Sequence, residues 1–128
     1  MQIVSKAQNT AERKLGMYTG AATHFGYELR TSAGLTDGSW ACGASCTLQA
    51  NVWQHLVISY NGSQQKWYKN GQLLYSKNWS GSIVSTNTAL TIGCFADQIQ
   101  SFFNGSIDEV RLYNRVLSDA EVQALAQQ

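Results

Sequence analysis

Along the chain, short apolar and aromatic runs alternate with polar residues and are broken by turn residues about every ten positions. That is the rhythm of an antiparallel sandwich or barrel, not of helices. His55 to Tyr60 (HLVISY) runs into Asn61-Gly62, Lys66 to Lys69 (KWYK) into Asn70-Gly71, and Gln72 to Ser76 (QLLYS) follows at once. Asn-Gly supplies the two successive positive φ angles of a type I′ turn, so Lys66 to Ser76 is predicted to be a tight hairpin. Further strands are expected at Ile3 to Lys6, Leu15 to Tyr18, Tyr27 to Arg30, Cys46 to Gln49, Ala89 to Cys94 and Ile107 to Tyr113, about nine in all. Only the last element reads as a helix. Ser118 and Glu121 have capping-box spacing, and Val122 and Leu125 lie one turn apart on a face that can dock on a sheet. With no repeat, linker or proline to mark a break, residues 1–128 are expected to form one module.

Composition changes the picture mainly by exclusion. Hydrophobic residues make up 44% of the 128 positions and charged residues only 13%, so the surface must be polar through uncharged groups. Net charge is +1, with no basic cluster longer than Arg13-Lys14, which excludes counterion-driven binding to nucleic acid. No apolar run approaches the ~20 residues that cross a bilayer, so no membrane insertion is expected. The N-terminus also lacks a basic segment followed by an apolar stretch, so no signal peptide is read in it. Three cysteines, Cys42, Cys46 and Cys94, show no C-x-x-C spacing. Cys42 and Cys46 can close a small loop in an oxidising compartment, but free thiols are the preferred reading. Asn61, Asn78 and Asn104 open N-x-S triplets, two of which are equally explained as Asn-Gly turns.

Four motifs in order carry a family resemblance: Trp53-Gln54-His55-Leu56, the hairpin Trp67-Tyr68-Lys69-Asn70-Gly71, Thr91-Ile92-Gly93, and Phe103 to Ser118 (FNGSIDEVRLYNRVLS). Over about 75 residues this order resembles the C-terminal part of laminin-G-like domains in the concanavalin A-like lectin/glucanase superfamily. The resemblance implies an all-β, antiparallel two-sheet jelly-roll sandwich with a short C-terminal helix. It also implies a module of secreted or cell-surface proteins that binds glycans, glycoconjugates or proteins, often with calcium at the loop rim. Such domains usually have two or more strands ahead of the position matched by Ile3. Either this is a segment of a longer protein or the sandwich is pared down. In the second case the open edge predicts a homodimer.

The adjacent acids Asp108 and Glu109 invite a catalytic reading, which strand periodicity opposes, because neighbours on a strand face opposite ways. The glucanases of the superfamily use an E-x-D-x-x-E type of run, and the chain has none. No G-x-S-x-G stretch or zinc-ligand spacing around His24 or His55 offers other chemistry, so a non-catalytic protein is expected. Glu109 and Arg111 should form a surface ion pair. Asp108, sharing a face with Val110 and Leu112, should accept from a backbone N–H or an imidazole, with calcium the sharper alternative. Asp97, in a predicted loop, is the candidate calcium ligand or else a solvated aspartate, and Asp37 reads as an Asp-Gly turn residue. Trp53 and Trp67 read as core. Trp40, Trp79 and Tyr18, in loops or at a strand end, are the candidate ligand-binding aromatics, able to stack on a sugar face or simply to pack. The function expected is recognition of carbohydrate or glycoconjugate through rim loops. The alternative is an interaction module that self-associates through an open sheet edge.

Overall fold

The computed structural model describes residues 1–7, 15–19, 24–37, 42–95 and 101–128. Two antiparallel sheets are built from eight strands among these residues: β1 (Gln2–Ser5), β2 (Leu15–Thr19), β3 (Phe25–Thr31), β4 (Gly34–Asp37), β5 (Leu56–Tyr60), β6 (Gln64–Lys69), β7 (Gln72–Asn78) and β8 (Thr91–Ile92). The larger sheet runs β4-β3-β2-β1-β8 and the smaller β5-β6-β7. After β7 the chain returns to the larger sheet, where Ile83 bridges Thr31 and the Ser32 N–H donates to the Ser82 carbonyl at 2.9 Å. This two-sheet sandwich is the expected fold.

The core lies where the inward residues of the two sheets meet. Phe25, Tyr27 and Leu29 alternate inward from β3 and meet Trp67 of β6, which is fully buried. Trp67 is held by rings on both sheets, with centroid separations of 5.6 Å to Phe25, 6.3 Å to Tyr27 and 5.3 Å to Tyr75. Such tilted pairs add to the apolar burial itself. Thr36 and Gln65 join the sheets through a buried side-chain hydrogen bond of about 3.2 Å, which satisfies both groups.

A second layer forms behind the smaller sheet. β6 sends Trp67 inward and Tyr68 outward, and α1 (Asp119–Leu125) covers Tyr68 with Leu117 and Val122. The Tyr68 hydroxyl donates to Asp119 Oδ1 at 2.7 Å, tying helix to strand. The Ser118–Glu121 capping box is present as expected. The β6–β7 turn also follows expectation, with Asn70 at φ 51° and Gly71 at φ 79°. Gly71 is required twice over, because a Cβ there would approach the Gln123 Cα to 3.1 Å.

Five expectations are corrected. Cys46 to Gln49 is not a strand: Gly43–Cys46 form a 3₁₀ turn, and Thr47 alone bridges His24. That turn brings the Cys42 and Cys46 Cα atoms to 5.5 Å, and the two are joined as a disulfide rather than left as thiols. Gly34–Asp37, where the sequence predicts no strand and places only a turn residue at Asp37, form the edge strand β4, because pairing with β3 overrides their weak local propensity. Trp53 is 69% exposed rather than core, since it precedes β5 instead of alternating within it. Ile107 to Tyr113 belongs to no strand, so the periodicity assigned to Asp108 and Glu109 does not apply. Asp108 is exposed, and its Oδ1 accepts from the Glu109 N–H at 2.8 Å, with Glu109 at φ 51°. A short polar side chain here competes with extended backbone pairing.

Candidate functional site

The outward face of the larger sheet carries its unusual chemistry. With Phe25, Tyr27 and Leu29 inward, alternation turns Gly26, Glu28 and Arg30 outward. The register places Tyr18 opposite Gly26, Gln2 opposite Tyr18, Asp37 opposite Glu28 and Leu35 opposite Arg30. Gly26 has a steric reason: a Cβ there would lie 2.7 Å from the Tyr18 ring, so the glycine lets the phenol lie on the sheet.

An outward sheet face is ordinarily solvated, yet here Gln2, Glu28 and Tyr18 are each at least nine-tenths buried and Ser5 is fully buried, with Arg30 half-buried beside them. Among the described residues, Gln2 Oε1 and Ser5 Oγ have no hydrogen-bond partner. Leaving such groups unsatisfied costs about 1 to 3 kcal/mol each. Donors from a bound molecule or its waters would remove that cost. A carboxylate, an amide, a hydroxyl, a phenol and a guanidinium on one face form a set of the chemistry that binds polyhydroxylated molecules.

Of the aromatic candidates, one lies on this face. Tyr18 lies next to the end of β2, where the sequence predicts it, and it is buried. Trp79 sits at the Thr31 end of β3, where it helps line a cleft of about 330 Å³ with Ala33, Ser63, Asn78 and Ser80. Its Nε1–H donates to Thr31 Oγ1 at 3.0 Å, and the Lys77 ammonium lies 5.0 Å from the ring centre. The indole is thus anchored to one sheet by its nitrogen and to the other by its chain, while half-buried. Trp40 and Asp97 lie outside the described residues. Among the described residues, no group of three or more His, Cys, Asp and Glu side chains is placed to hold a metal.

Gln2, Glu28 and Arg30 were not singled out by sequence reasoning. Their signal was present: Glu28-Leu29-Arg30 puts two opposite charges on one face of a predicted strand. What the sequence hides is the register that adds Gln2 and Tyr18 from other strands.

A family profile described as the concanavalin A-like lectin/glucanases superfamily matches residues 1–123. Among solved structures, the chain is similar to the CBM40 of the Ruminococcus gnavus IT-sialidase, with 21% identity over 98% of this chain and 73% of that one, at a TM-score of 0.73. The same module bound to alpha2,3 sialyllactose aligns over 98% and 73% of the two chains at 20% identity and a TM-score of 0.70. Bound to alpha2,6 sialyllactose, it aligns over 98% and 74% at 20% identity and 0.71. At these identities the likeness is one of fold. No curated protein sequence matches the chain.

Proposed function

We propose that this chain, which belongs to the concanavalin A-like lectin/glucanases superfamily, is a non-catalytic module that binds an acidic glycan on the outward face of its larger sheet. The observation that carries this reading is the set of Gln2, Tyr18, Glu28 and Arg30 on that one face, most of it buried. Arg30 is the natural partner of a sugar carboxylate, because a guanidinium binds carboxylates in bidentate fashion. Gln2 and Glu28 take hydroxyls, and the phenol of Tyr18 offers a flat apolar surface. Structural relatives whose solved forms hold sialyllactose, a glycan with one carboxylate, support the acidic class.

The rim loops extend the ligand surface in this reading, with Trp79 in its cleft and Trp40 supplying stacking, and calcium held through Asp97. A secreted or cell-surface location follows from the glycan ligand, and the Cys42–Cys46 disulfide suits such an oxidising compartment.

Arrayed sialylated and neutral glycans, probed with and without chelator, test the proposal. Sialylated glycans are expected to be retained and their neutral parents not, with retention lost in Arg30→Gln. Retention that survives Arg30→Gln moves the site away from this face, and no retention of any glycan overturns the reading. Loss of retention on chelation supports the calcium component alone. Turnover of any arrayed glycan would contradict the non-catalytic assignment.

A further inference from the structure

One apolar stretch is used neither by the core nor by the outward face. Ile107 to Tyr113 (IDEVRLY) lies in no sheet, and Val110, Leu112 and Tyr113 are all exposed, Leu112 at 71%. Within it the Arg111 guanidinium binds Glu109 Oε2 at 2.6 Å, between side chains 45% and 72% exposed. Glu109 holds φ 51°, a conformation that residues other than glycine seldom adopt.

The order of residues is self-complementary. If two copies run antiparallel with Val110 opposite itself, partner numbers sum to a constant. Glu109 then faces Arg111 of the second copy, Arg111 faces Glu109, and Ile107 faces Tyr113. Directly opposed unlike charges and aromatic–β-branched pairs are the combinations that stabilise a sheet ladder. Only Asp108 opposite Leu112 gains nothing. We propose that Ile107 to Tyr113 is the seam of a symmetric homodimer in which the two segments pair antiparallel about Val110. Two crossing ion pairs replace the two internal ones, backbone N–H and C=O groups gain partners, and Glu109 returns to the extended region. An isologous contact of this kind closes at two copies and does not propagate. The seam does not depend on the glycan-binding reading.

Charge exchange tests it. By light scattering after sizing, the wild-type chain is expected to be dimeric. Glu109→Arg and Arg111→Glu, each placing like charges opposite at two positions, are expected to weaken dimerisation by at least about tenfold. Circular dichroism should show both variants folded, since the residues are exposed. An equimolar mixture of the two variants restores both unlike pairs across the seam, and is expected to be dimeric although neither variant is alone. A monomeric wild type, a Glu109→Arg variant as dimeric as wild type, or a mixture that stays monomeric would overturn the proposal. An internal role for the Glu109–Arg111 pair cannot produce the rescue on mixing, because each chain keeps its own like charges.

Discussion

At Gly26 the absence of a side chain is what allows the Tyr18 ring to lie on the sheet, with only 2.7 Å left for a Cβ. Gly26→Ala is expected to cost about 1 to 3 kcal/mol, the usual penalty of overpacking a filled site. Thermal unfolding would measure it, and in a double-mutant cycle with Tyr18→Ala the penalty should largely disappear. Glu121 gives a residue-scale test with a sign. The Arg115 guanidinium, then the Ser118 N–H and hydroxyl, hold its carboxyl near 2, below its ordinary 4.5. A carboxylate whose folded pKa is depressed contributes stability that is present above 4.5 and lost as pH falls toward 2. Asp119 is also lowered, mainly by the Tyr68 hydroxyl and then by Lys66, so it acts in the same direction. An acid titration of helix content should therefore show α1 loosening in that window, and Glu121→Gln should flatten the Glu121 part of the response.

Elements were legible where one local signal sufficed. Asn70-Gly71 specified its hairpin because both positive φ angles fall on residues that tolerate them, and Ser118 with Glu121 capped α1 because both partners lie within one turn. The failures share a cause, which is that pairing is decided by a distant neighbour. β4 has one apolar residue and exists because β3 offers it a ladder, whereas Ile107 to Tyr113 has the better strand sequence but pairs with no strand among the described residues. The outward face was half legible for the same reason: Glu28 and Arg30 share a face by period two, while Gln2 and Tyr18 join them only through register. The Cys42–Cys46 turn is the element whose removal is simplest to measure. Closing so short a loop stabilises by about 2 kcal/mol through the unfolded chain. A reductant should lower the unfolding midpoint accordingly, and should do nothing further to a chain with both cysteines replaced by alanine.

At the scale of the whole molecule, two sheets and one short helix bury apolar residues in one core and one helix-covered flank. That division frees the outward face of the larger sheet to be polar, where Gln2, Glu28 and Ser5 are buried and, among the described residues, Gln2 Oε1 and Ser5 Oγ lack a hydrogen-bond partner; on the proposed reading this face meets the ligand. The central claim is that this ligand is a glycan recognised through its negative charge. The direct measurement is calorimetric titration of the wild-type chain with sialyllactose and, under the same salt and pH, with lactose. Saturable heat with sialyllactose and none with lactose is the predicted result. Equal binding of the two sugars, or binding of neither, would contradict it.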